Sequence, residues 1–187
     1  MVHADHPLKD LSYLLVTVST TRTFEHDETG KISAGIINSI AEQLYFGSGA
    51  FRGSPRTEKV GLDKVEAKRA FLTDTREILH RIGDVGLPAT IHRLVDLLDF
   101  LAPGDPALAF DLVAHALLKA GKRHGYQFEL LGADRFVQVI GRLLADNREI
   151  FVDAARRHVL IHCLDVFNEV GWPAARRLVY RLPDLLR

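Results

Sequence analysis

Cysteine is almost missing from this chain. Cys163 is the only one among 187 residues, so no intrachain disulfide can form and a cysteine-built zinc site is excluded. It stands in the apolar run HVLIHCLDVF, where a small buried thiol is expected rather than a nucleophile. An excess of one charge is missing as well: 24 Lys+Arg meet 24 Asp+Glu, and a division after Arg93 leaves 12 of each sign on both sides. That removes the global electrostatic argument for a nucleic-acid partner and leaves room only for a local patch. No run of roughly 18 apolar residues occurs, so no membrane span is expected. The opening MVHADHPLKD is polar and carries no secretory leader, which makes a cytoplasmic location the expectation.

Catalytic signatures are missing too. The loop LYFGSGAFRGS, residues 44–54, offers Gly47, Gly49 and Gly53, whose backbone amides are the kind that face a phosphate. A Walker loop requires lysine after its last glycine and a strand before the loop; here Ser54 follows Gly53 and a helix precedes. There is no G-x-S-x-G elbow and no H-E-x-x-H. No catalytic residue and no cofactor are therefore assigned.

What is present is helical periodicity. Hydrophobic residues make up 47% of the chain, too many for a disordered one, and they recur at spacings of three and four. Leu8, Leu11, Leu14, Leu15 and Val18 form a first stripe after Pro7. Ile36, Ile37, Ile40, Leu44 and Tyr45 form a second, with Ser33 as its expected N-cap. Phe71, Ile78, Leu79 and Ile82 form a third, expected to stop at Gly83. Pro88 opens the next helix. Asp105-Pro106 supplies a cap followed by proline at the first helical position, for a helix closing at Gly121. Asn147 is expected to cap a helix reaching Val170, and Trp172-Pro173 to start the last one. YQFEL, residues 126–130, is the only short strand candidate. The fold class is all-α. Residues 1–87 read as an N-terminal helical part with a mobile loop near 46–61, and residues 88–187 as a helical-repeat part, joined in one continuous domain.

The repeat rests on an echo. RLVDLLDFLAPGDP, residues 93–106, returns 42 residues later as RFVQVIGRLLADNR, residues 135–148. Arg93, Val95 and Leu101 recur as Arg135, Val137 and Leu143, and each segment is followed by a break and a further helix ending in glycine. A step of this length in antiparallel helix pairs resembles HEAT and armadillo repeats, whose period is about 40–47 residues. The resemblance implies helix pairs stacked as a short array, with an irregular helical bundle as the alternative, and a partner bound along an extended surface. The segments GYQFELLGADRFVQVIGRLLADNREIF and GWPAARRLVYRLPDLLR also look like C-terminal helical segments of large multidomain bacterial ATP-binding proteins of the defence or signalling type. That likeness implies a sensing or assembly surface remote from any ATPase.

Three groups of side chains remain. His158 and His162 stand four apart with Asp165 and Glu169 on the same line, a face a divalent metal can use; a solvated face is the plainer reading. The opposite stripe, Val152, Val159, Cys163, Val166 and Val170, reads as core. His80, His92, His115 and His124 share no spacing that gathers them, and His115 reads as a packing residue. Arg156, Arg157, Arg176, Arg177 and Arg181 form a C-terminal basic surface suited to carboxylates or phosphates. Trp172 serves either as a staple between helices or as an anchor for a partner. The function expected is a non-enzymatic scaffold with a protein partner. The alternatives are a nucleic-acid-binding module using the arginine surface and a metal-dependent enzyme at His158/His162. Val139 and Val166 fall on core faces, where Asp unfolds the chain; Asp99 and Gln138 fall outside, where Lys is silent.

Overall fold

A computed structural model describes residues 27–51, 62–124, 132–169 and 171–185. Seven α-helices and one short 3₁₀ turn occur among them, and no strand. The helices are α1 (Asp27–Gly47), α2 (Val65–Val85), α3 (Pro88–Leu101), α4 (Pro106–His124), α5 (Ala133–Asp146), α6 (Ala154–Glu169) and α7 (Pro173–Leu185), with the 3₁₀ turn Arg148–Val152 between α5 and α6. The fold is all-α. The stripe at residues 8–18 and the YQFEL segment lie outside the described residues, as does the loop expected near 46–61 from residue 52 onward.

Proline and acidic caps set several boundaries where the sequence puts them. Pro88 sits at the start of α3, and the Asp105 carboxylate accepts the backbone N–H of Leu108 at 3.0 Å at the start of α4. Other boundaries differ. Helix α1 begins at Asp27, not near Ser33. Helix α2 does not end at Gly83, which is buried inside it, but at Gly86, whose φ of 62° lies in the left-handed region that glycine adopts without penalty. Helix α4 runs past Gly121 to His124. Asn147 ends α5 instead of starting a long helix. The chain then makes the 3₁₀ turn, and Asp153 becomes the cap of α6, its carboxylate accepting the N–H of Arg156 at 3.0 Å.

The helices lie in two layers. In one, α1 packs on α3, α3 on α5 and α5 on α7; in the other, α2 packs on α4 and α4 on α6. Helices α3 and α4 also face each other across the layers, as do α6 and α7. Between the layers one apolar cluster runs from Ile37 to Leu178. Phe110, Phe136, Phe151 and Phe167 are its largest fully buried side chains. Phe151, on the 3₁₀ turn, meets Phe110 of α4 edge-on with ring centroids 4.8 Å apart, which is why the chain detours there between α5 and α6. Burying such a ring contributes on the order of 2–3 kcal/mol.

The detour corrects one face assignment. Val152 is 74% exposed, although Cys163 and Val166 are buried. A 3₁₀ turn advances three residues per turn instead of 3.6, so the stripe of α6 cannot be extrapolated back through it. The core face of α6 is carried by Leu160, Cys163, Leu164, Val166 and Phe167. Burial pushes the Cys163 thiol up to about 12, so it is protonated and inert at neutral pH.

Candidate binding cleft

The two echoing arginines occupy matching places. Arg93 of α3 reaches back to α1, where it donates to the Asn38 side chain at 2.9 Å and pairs with Glu42 at 2.9 Å. Arg135 of α5 reaches back to α3, where it pairs with Asp96 and, at 2.8 Å, with Asp99. Each arginine thus ties its helix to the preceding helix of the same layer. Arg142 adds a second grip on Asp99. Asp99 is only 9% exposed at its side chain, so the outward position expected for it is corrected: it is a nearly buried carboxylate shared by two guanidinium groups. Burial disfavours the Arg135 charge, but hydrogen bonding and charge from Asp96 and Asp99 outweigh it and hold the group above its ordinary value.

This clasp forms the floor of a cleft of ≈ 370 Å³, lined by Arg135, Arg142, Asp96 and Asp99 together with Lys68, Phe100, Pro103, Tyr45, Ala50 and Phe51. Helix α2 brings Lys68 over the ring of Phe100, with Nζ 4.1 Å from the centroid. Burial draws the Lys68 ammonium below its ordinary value of 10.5, with Asp63 opposing. Both carboxylates of the cleft are engaged by arginine, whereas Lys68 has an aromatic face beneath it and no carboxylate in ion-pair contact among the described residues. At the rim, Phe46 and Phe51 are 42% and 48% exposed and pack on each other and on Tyr45 with centroids 5.1–6.2 Å apart. An apolar wall beside an available ammonium fits a ligand that is apolar at one end and anionic at the other.

The position of Lys68 is fixed by backbone contact. Gly104, in the turn between α3 and α4, lies so close to α2 that a Cβ there would fall 2.5 Å from the Arg69 nitrogen. The Arg69 Nε–H donates to the Gly104 carbonyl at 2.8 Å. No side chain larger than hydrogen fits that gap, and the start of α2 is seated on the turn.

The C-terminal residues singled out in the sequence are distributed differently. Arg157, Arg176, Arg177 and Arg181 are exposed on α6 and α7. Arg156 forks onto Asp111 of α4 at 3.0 and 3.2 Å. Trp172 packs against the core, and its indole N–H donates to Asp134 at 2.9 Å, a bond from the start of α7 to α5. His158 and His162 are exposed on α6, and no third metal-capable side chain closes on them among the described residues. A set of three does form elsewhere, from His80, Asp84 and His115. The spacing of His80 and Asp84 along α2 was readable; the arrival of His115 from α4 was not, because it depends on how the two helices pack. The aromatic rim was likewise hidden, since Tyr45, Phe46 and Phe51 read as the end of an amphipathic helix and a glycine loop. No protein-family model matches the chain, and no curated protein or solved structure matches it.

Proposed function

We propose that this chain is a non-enzymatic scaffold, a short HEAT-like array of helix pairs that receives a protein segment in the cleft between α1, α2, α3 and α5. The observation that carries the reading is the combination in one place of an exposed aromatic rim and the Lys68 ammonium seated over the Phe100 ring. Exposed aromatic side chains grouped at a concave site supply binding energy at low entropic cost, and a nearby charge supplies orientation. The segment it suits presents an apolar side chain to Tyr45, Phe46 and Phe51 and a carboxylate to Lys68. The repeated backward grip of Arg93 and Arg135 supports the array, because a stacked repeat makes the same interface at each step. The likeness of the C-terminal segments to helical tails of large bacterial ATP-binding proteins supports a place in a multi-component assembly.

Capture from the native cells, with and without nuclease, tests this. A stoichiometric protein that survives nuclease, and is lost with Phe51→Asp and with Lys68→Glu, is the expected result. Retention that depends on nucleic acid, or that ignores both substitutions, would replace the cleft with the exposed arginines of α6 and α7.

A further inference from the structure

The second layer contains a group of side chains that the scaffold reading does not use. Asp84 of α2 presents one carboxylate oxygen to the His80 Nδ1 at 3.3 Å and the other to the His115 Nε2 at 2.9 Å. The two imidazoles are stacked, with centroids 3.8 Å apart and planes 22° from parallel. One ligand atom from each of the three residues lies within 4.8 Å of the others. In a tetrahedral zinc site, nitrogen and oxygen ligands stand about 2.0–2.2 Å from the metal, so neighbouring ligand atoms are about 3.3 Å apart. The 3.3 and 2.9 Å contacts run to the two different oxygens of Asp84, so one ion would gather the three ligands by turning the half-exposed His80 ring out of its stack on His115.

We propose that His80, Asp84 and His115 bind one divalent transition-metal ion of the zinc type, clipping α2 to α4, with the fourth position open to solvent on the His80 side. Two imidazoles and one carboxylate form a borderline donor set that suits zinc and disfavours magnesium and calcium, which require mostly oxygen. The site is built from two helices in firm contact. Gly83, one residue before Asp84, faces His115 so closely that a Cβ there would stand 3.1 Å from its Cδ2 and 3.4 Å from Ala116. His80 is 43% exposed and His115 19%, so one ligand stands at the solvent edge while the other is anchored. Three charged or titratable groups surround His115. Burial lowers its pKa, the neighbouring charges of His80 and Lys119 act in the same direction, and Asp84 opposes them. Arg81 also reaches Asp84, at 3.5 Å, but its shorter contact is to Glu77 at 3.0 Å. Metal binding at Asp84 displaces the longer of the two and leaves Arg81 paired.

The test is calorimetric titration of zinc into untagged, chelator-stripped full-length protein, with cobalt as a spectroscopic stand-in for tetrahedral geometry. One zinc per chain is expected, with affinity reduced at least about tenfold in both His80→Gln and His115→Gln and unchanged in a His158→Gln/His162→Gln control. The melting temperature of the wild-type protein should rise with zinc, because an ion bound only by the folded state stabilises it. His80 is exposed enough for His80→Gln to keep the fold, and helical circular dichroism of that variant checks this. Absence of stoichiometric zinc in the wild type, or binding that persists in His80→Gln and disappears in the control, would overturn the assignment.

Discussion

Residues 93–106 and 135–148 spell nearly the same helix and are held by different neighbours. In both, the apolar positions are buried: Leu94, Val95, Leu97, Leu98 and Leu101 in α3, and Phe136, Val137, Val139, Ile140 and Leu143 in α5. In both, the leading arginine grips the helix behind it. Ahead they differ. Helix α3 offers Asp96 and Asp99 to the next arginine, whereas α5 has Gln138 and Gly141 at the positions 42 residues on. At Gly141 the space is taken by Leu178 of α7, whose methyl groups stand 3.7–3.8 Å from where a Cβ would be. The apolar pattern therefore decides that a helix joins the layer, and the polar residues at its edge decide how the next one is attached. The α3–α5 step is clasped by charge and opens a cleft; at the matching position of the α5–α7 step Leu178 fills the space, and the polar tie there is the Trp172–Asp134 hydrogen bond at the start of α7.

The strongest way to break this comparison is to attack what the two helices share. Val139→Asp places an unpaired carboxylate in the core, at a cost of several kcal/mol, and should abolish cooperative unfolding followed by circular dichroism. Gly104→Ala acts on the α3 step alone. The added methyl meets the backbone of Lys68 and Arg69 and should cost about 3 kcal/mol in denaturant unfolding, with Lys68 moved away from the cleft. A sharper test sets matched positions against each other. Asp99→Lys removes a carboxylate shared by Arg135 and Arg142 and adds a third positive charge, for a loss of about 2 kcal/mol. Gln138→Lys, on the exposed edge of α5, should stay within about 0.5 kcal/mol. Equal effects at the two positions would mean that the clasp contributes nothing.

That contrast also marks how far the sequence could be read. Prolines at 88, 106 and 173 announce helix starts because proline loses nothing at the first turn, and three- and four-residue spacing identified the buried faces of α2, α3 and α5. Helix ends were harder. Gly83 and Gly86 are both suitable stops, and it is Gly86 that takes the left-handed backbone ending α2, while Gly83 stays inside the helix against His115 and Ala116. Asn147 suits either end of a helix, and burial of Phe151 decides in favour of a stop. The cleft was the least legible part. Asp99 looks like a surface residue until α5 is laid beside α3. Lys68 and Phe100 are 32 positions apart and meet only because the Gly104 turn seats α2 against α3. Periodicity reports which face of a helix is buried; it carries no information on which polar residues of separate helices meet.

The most direct measurement is site-specific photocrosslinking in the native cells, with the reactive residue placed at Phe51 on the cleft rim or at Arg177 on the exposed face of α7. A crosslink to one protein from position 51, and none from position 177, is the expected result. A crosslink from position 177 alone, or to nucleic acid from either position, would contradict the cleft as the binding surface.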